Sequence, residues 1–240
     1  MKMILHTADS RGHADHGWLN SWHSFSFAGY YDPQRIHFGA LRVLNDDTVA
    51  GGMGFGTHPH DNMEIISIPT SGDLEHQDSM GNTQVIRQGD VQVMSAGTGI
   101  RHSEKNKNHD QPVKFFQIWV FPNQKNIAPR YDQQYFSEAD KKNRLLTIVS
   151  PLGSKDGGVQ IQQDAWFSLG NLDQDFETLY PLHQNGNGVY AFVIEGSVTI
   201  NGQKLNKRDG LGITDTDSLQ IKADTKAEIL LMEIPMKIEN

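Results

Sequence analysis

Short β-branched and aromatic runs recur along this chain, each cut off by Gly, Pro, Asn or Asp. Val85-Ile86-Arg87, Val91-Gln92-Val93-Met94, Phe115 to Phe121, Leu145 to Val149, Val189 to Ile194, Ser197 to Ile200 and Glu228 to Met232 all have this form. Such side chains suit a pleated, half-buried surface, and runs this short read as strands. Many short strands with turn residues between them predict a sandwich or a barrel. The turns are explicit. Asn201-Gly202 separates Val198-Thr199-Ile200 from Gln203-Lys204-Leu205, and a two-residue hairpin turn wants φ > 0 at both central positions. Gly81-Asn82 plays a similar part in the first half. The polar stretch from Pro122 to Asn143 reads as a connecting segment, with a short helix expected near Ser137-Glu138-Ala139-Asp140.

The two halves echo each other. Ser71-Gly72-Asp73-Leu74-Glu75-His76, then Gly81-Asn82, then Gly89-Asp90-Val91 matches Glu195-Gly196-Ser197-Val198-Thr199-Ile200, then Asn201-Gly202, then Asp209-Gly210-Leu211. Two copies of one β-barrel unit account for this. The histidines are not shared between them: of 11, only His183 lies beyond His109. Any metal or proton chemistry therefore belongs to the first copy.

A chain of 240 residues buries a substantial core without staples, and with no cysteine it has no disulfide, thiolate ligand or thiol nucleophile. A metal would have to sit on His, Asp and Glu. The net charge of −8 opposes a phosphate backbone, which argues against direct nucleic-acid binding. No apolar run approaches the ~18 residues that span a bilayer, and the start is too short in apolar residues for a secretory signal, so no membrane association and a cytoplasmic location are expected.

The chemical signal is His58-Pro59-His60 with Glu64 four residues on, followed by Gly97-Thr98-Gly99-Ile100-Arg101-His102-Ser103-Glu104. In a strand, residues i and i+2 share a face about 6.6–7 Å apart. His58 and His60 therefore point one way, as do His102 and Glu104. If the two strands meet across a barrel, the four side chains converge. Pro59 stiffens the first pair, and Gly97 and Gly99 permit the turn that returns His102 inward. A lone His-x-His on a strand is ordinarily structural or solvent-facing; the second pair makes a metal site the stronger reading. Imidazole and carboxylate suit Fe, Ni, Mn, Co or Zn. Glu64 reads better as support or packing than as ligand. His13, His16 and His23 read as loop contacts, His76 as a cavity-lining or satisfied strand residue, and the aromatics from Trp18 to Tyr31 as core and sheet cover.

At these residues the chain resembles the pirin family, closest to bacterial pirins described as quercetin 2,3-dioxygenases. The resemblance runs through Arg11-Gly12-His13, Trp22-His23-Ser24-Phe25-Ser26-Phe27, Gly56-Thr57-His58-Pro59-His60, Glu75 to Asn82, Met94 to Glu104 and Phe116-Gln117-Ile118-Trp119-Val120. It implies an all-β bicupin, two double-stranded β-helix (jelly-roll) barrels facing each other. A metal-binding domain would occupy residues 1–125, a connecting segment 126–145, and a cupin without metal ligands 146–240. The implied ligands are His58, His60, His102 and Glu104, with Glu104 also the catalytic base or changing between the two roles. Two departures from the general cupin motif, Ser95-Ala96 where Pro precedes Gly97 and Gly72 one residue late, touch no ligand.

The implied activity is flavonol 2,3-dioxygenation. Quercetin would bind through its deprotonated 3-hydroxyl, dioxygen would add, the heterocycle would open and carbon monoxide would leave. The implied cofactor is a divalent metal, iron first, with Ni, Co, Mn and Zn as alternatives. The partners are then a flavonol and O₂, with a monomer expected. A second reading, from animal pirins, is an iron-dependent redox-sensing regulator that docks another protein. A third keeps the enzyme but gives it a different small aromatic or enediol. A closed structural zinc site fits least, since such sites ordinarily use cysteine.

Overall fold

Residues 1–238 are described by the computed structural model; the last two residues of the expected 146–240 domain lie outside the described residues. The β-rich runs are strands, assembled into four sheets. One seven-stranded sheet is ordered Arg130–Tyr135, Asp90–Ser95, Glu64–Ser71, Val113–Val120, Leu41–Val49, Leu19–His23, Gly12–Asp15. A four-stranded sheet, ordered Gly54–His60, Ile100–Asn106, Asp73–Asp78, Thr83–Arg87, lies over it, with Leu74 and Ile86 of one packed on Val49, Val113 and Phe115 of the other. These two enclose the N-terminal barrel.

The second barrel repeats the plan. Its seven-stranded sheet is ordered Lys2–His6, Gly210–Thr214, Asn187–Glu195, Ala227–Pro235, Trp166–Leu172, Leu146–Pro151, Val159–Ile161, and its four-stranded sheet Glu177–Pro181, Ser218–Ala223, Ser197–Ile200, Gln203–Asn206. The echo in sequence is thus an echo in space: the Asp73–Asp78 and Thr83–Arg87 hairpin occupies the place of Ser197–Ile200 and Gln203–Asn206. Asn201 (φ 46°) and Gly202 (φ 83°) make the expected two-residue turn. The first-barrel connection is longer. Residues 79–82 span it, with Gly81 at φ 94°, and Asp78 Oδ1 accepts from the backbone N–H of Met80 and Asn82.

Two segments cross the expected boundaries. The stretch 126–145 carries an edge strand, Arg130–Tyr135, on the first barrel's sheet, then the helix Glu138–Lys141, capped by Ser137 Oγ accepting from Asp140 N. The first strand of the chain, Lys2–His6, belongs to the second barrel's sheet, paired with Gly210–Thr214.

The two large sheets pack back to back over one shared apolar core, in which Phe25, Leu44, Phe116 and Ile118 meet Phe167, Phe192, Leu230 and Met232. Strands covered on both faces have no polar side to show, which is why Asp90–Ser95 is buried throughout and Asn187–Glu195 nearly so. The barrel interiors differ sharply. The second is filled by one continuous apolar cluster, including Val189, Val198, Leu211, Ile221 and Leu231. The first holds two small clusters, one around Phe115 and one around Ile65 and Met94. Between them runs a polar row.

Candidate metal centre

That polar row follows from register. Gln92 stands opposite Ser67, Ser67 opposite Gln117, Gln117 opposite Asn45 and Asn45 opposite His23, so five neighbouring strands each turn one polar side chain inward at the same level. Each of the five is at most 7 % exposed. Buried polar groups on this scale cost stability unless they are hydrogen-bonded or functional.

Over this row the facing sheet delivers the histidines. Gly54–His60 and Ile100–Asn106 pair antiparallel, with His58 opposite His102 and His60 opposite Ile100. A cross-strand pair plus an i+2 neighbour on one face brings three imidazoles together. Their ring centroids lie 4.4 Å (His58–His102), 4.9 Å (His58–His60) and 4.9 Å (His60–His102) apart, and one nitrogen from each falls within 4.8 Å of the others.

Protonation is set by the partners. His58 Nδ1 lies 2.8 Å from the Gly56 carbonyl oxygen, which only accepts, so Nδ1 carries the hydrogen and Nε2 presents a lone pair. His58 Nε2 and His102 Nε2 are 3.0 Å apart. Two nitrogens each about 2.1 Å from one ion and at right angles around it would be about 3.0 Å apart. The donor set and its spacing therefore fit a divalent metal. Burial, then the neighbouring His58, lowers His60 to about 4, and burial with three neighbouring imidazoles depresses His102 further. Both rings are neutral, as ligands must be.

His102 is oriented from behind. Its Nδ1 lies 3.5 Å from His76 Nδ1, and His76 Nε2 lies 3.3 Å from Asp78 Oδ2. The Asn82 amide, donating to that carboxylate oxygen at 2.8 Å, fixes Asp78 in turn.

Glu104 is placed differently from the three histidines. A bulge between His102 and Glu104 shifts the pairing with Gly54–His60, and the carboxylate turns down to the polar row. Oε1 accepts from Ser67 Oγ at 3.1 Å and Oε2 from Gln117 Nε2 at 2.8 Å. Glu104 groups within 4.8 Å with His102 and His76, not with the His58–His60–His102 set. Complete burial raises its pKa to about 7 against those two hydrogen bonds. Glu64 sits at the seam between barrels, accepting from Ser95 Oγ at 2.7 Å and Gln162 N at 3.2 Å. It supports the barrel and does not reach the imidazoles' group.

A cavity of about 670 Å³ opens beside His58 and His60, with Phe27, Phe55, Tyr30 and Trp119 among its apolar lining. His23 lines it from the polar row, and His13, also on its rim, stacks on Trp22 with centroids 4.1 Å apart. Both sit on strands, where loop contacts were expected. Ser67, Gln117, Asn45 and Asp47 had not been singled out in the sequence. Gln117, the one polar residue inside an apolar run from Phe115 to Phe121, was the available signal.

Among the described residues the second barrel has no such centre. By register its cross-strand pair Tyr180–Leu219 stands where His58–His102 stands, Leu182 follows Tyr180 as His60 follows His58, and Ile221 follows Leu219 as Glu104 follows His102. Of its two histidines, His183 stacks on Trp166 and bonds the fully buried Glu233 at 2.8 Å, and His6 bonds the Tyr190 hydroxyl at 3.0 Å.

Paired jelly-roll barrels packed back to back, one of them carrying converging imidazoles, define a bicupin. Sequence and structure comparisons agree with that class and narrow it. The chain belongs to the pirin family: the family profile described as Pirin matches residues 5–120, and that described as Quercetinase C-terminal cupin domain matches residues 147–234. An Escherichia coli (strain K12) protein named quercetin 2,3-dioxygenase is 45% identical over 233 residues, covering 97% of this chain and 99% of that protein. A pirin-like protein of Caulobacter vibrioides is 41% identical over 225 residues, covering 94% and 96%. The crystal structure of the bacterial pirin YhhW from Escherichia coli in complex with nickel(II) matches with a TM-score of 0.92 at 43% identity, covering 99% of this chain and all of that one.

Proposed function

We propose that the chain is a metal-dependent flavonol 2,3-dioxygenase, acting on quercetin or a closely related flavonol and O₂. His58, His60, His102 and Glu104 hold one divalent metal, with iron first and Ni, Co, Mn or Zn as alternatives. The observation that carries this reading is the converging three-imidazole cluster at the edge of an aromatic-lined cavity. The relatives named quercetin 2,3-dioxygenase and the nickel complex of YhhW support it.

A divalent metal bound there lowers the pKa of a coordinated hydroxyl and gathers that hydroxyl and dioxygen in one place. The chain's residues do the rest. His58, through Gly56, and His102, through His76 and Asp78, keep their Nε2 lone pairs forward. Glu104 is a fully buried carboxylate beside His102, and it takes the 3-hydroxyl proton as base, or serves as ligand, while Ser67 and Gln117 steady it. Trp119, edge-on to His60 at 4.9 Å, and Phe27, edge-on to Trp119 at 5.4 Å, keep that side of the cavity dry.

The test is aerobic turnover of quercetin by protein loaded in turn with Fe, Ni, Co and Mn, with carbon monoxide measured. Metal-dependent release is the expected result. A fully loaded protein that releases none from any flavonol would replace this reading with the iron-dependent regulatory one.

A further inference from the structure

The cavity has a second wall for which the metal reading has no use. It is the inner face of the Leu19–His23 and Leu41–Val49 strands, on the sheet that faces the imidazoles, where Ser21 stands across from Asp47 and His23 across from Asn45. All four line the cavity, and all are at most 3 % exposed.

Their mutual hydrogen bonds leave particular atoms over. The Ser21 hydroxyl donates to Asp47 Oδ1, and His23 Nδ1 donates to Asn45 Oδ1 at 2.9 Å. Asp47 Oδ2, Asn45 Nδ2 and His23 Nε2 have no partner among the described residues, and none is sealed off from open space. Burial lowers the pKa of His23, which makes its free Nε2 an acceptor. Two acceptors and one donor therefore face the cavity between aromatic flanks, held by rigid strands. A carboxylate alone would suit an ammonium group; the Asn45 donor beside it would not. A hydroxyl, which both donates and accepts, satisfies all three atoms.

The geometry points to a hydroxyaryl subsite: Asp47, with His23 and Asn45, receives hydroxyl groups on the part of a planar aromatic ligand remote from His58 and His60. This rests on the flavonol reading and names which flavonols the cavity selects. Those with hydroxylated outer rings are held at both ends, and those without are held only at the metal end.

The experiment compares quercetin with 3-hydroxyflavone, which keeps only the heterocycle hydroxyl. Dissociation constants are measured by anaerobic fluorescence quenching on metal-loaded protein, wild type and Asp47→Asn. Asparagine keeps the Ser21 contact and turns the free acceptor into a donor. The measurement is made at about pH 8.5, above the pKa of about 7 to which burial raises Asp47, where its free oxygen is a charged acceptor and a hydrogen bond to it is worth about 10- to 100-fold in affinity. Wild type is therefore expected to prefer quercetin by at least about tenfold, and Asp47→Asn to lose most of that preference while binding 3-hydroxyflavone as before. If Asp47→Asn does not retain metal, Asn45→Ala, which deletes the donor, replaces it with the same expected loss. An equal preference in wild type and variant, no preference in wild type, or no binding of either compound overturns the subsite. Failure of the dioxygenase reading looks different: no carbon monoxide from either flavonol while the binding preference still responds to the substitution.

Discussion

Asp47 is held in the folded chain at a cost that grows with pH, so replacing it should stabilise the protein in a pH-dependent way. Burial, reinforced by Glu104 and Asp46 and opposed by the Ser21 hydroxyl, raises its pKa from 3.8 to about 7. A carboxyl with a raised folded pKa keeps its proton when the unfolded chain has lost it, so stability falls as pH climbs from 3.8 through 7. At about 1.36 kcal/mol per pH unit, the cost is about 1.6 kcal/mol at pH 5 and about 4 kcal/mol at pH 8. Asp47→Asn has no such titration and keeps the Ser21 hydrogen bond. Its advantage over wild type should therefore grow by about 2–3 kcal/mol from pH 5 to pH 8. For a chain of this length that corresponds to roughly 5–10 °C in the difference of melting temperatures. The assay is thermal unfolding by circular dichroism of both proteins, stripped of metal, across that range; titrating groups not coupled to Asp47 cancel in the comparison, and the coupled Glu104 titrates in the same window, which leaves the sign unchanged. A gap that stays constant with pH, or narrows as pH rises, would refute the reasoning.

Three further outcomes follow from the same geometry. His60→Ala should lower bound metal sharply while His183→Ala, on the second barrel, leaves it unchanged; elemental analysis after chelator challenge decides, and equal losses would contradict the ligand assignment. If Glu104 ligates, its raised pKa means that metal binding at pH 6 releases close to one proton, fading as pH passes about 7, which calorimetry in buffers of different ionisation enthalpy would read; no release at pH 6 would remove Glu104 from the ligand set. Gly97→Ala should destabilise by more than about 2 kcal/mol, because Gly97 sits at φ 50° and a Cβ there would meet the Ile127 carbonyl at 2.1 Å; an unchanged urea midpoint would show that the turn into the Ile100–Asn106 strand has slack.

What could be read from the sequence was local. The Asn201-Gly202 hairpin, the strand runs and the pairing of His58 with His60 depend on neighbouring residues and a period of two, and all are visible without partners. What escaped depends on register. Ser67 and Gln117 reach Glu104 from strands 37 and 13 residues away, and no local pattern states which rung faces which. Asn45-Asp46-Asp47 looks like turn chemistry, yet it lies inside the Leu41–Val49 strand, where pairing on both sides overrides intrinsic preference. The bulge that carries Glu104 away from the His58–His60 pair is likewise an effect of two strands meeting, not of either one.

The place of Lys2–His6 has a consequence for how such a chain is made. Lys2–His6 have their partners at Gly210–Thr214, so that strand stays unpaired until residues about 200 positions further on have been synthesised. Cutting the chain between the barrels would strand that ribbon on the wrong fragment and bare an edge of the other's sheet, an invitation to self-association. The barrels are copies in architecture, but the opening residues stitch them into one folding unit.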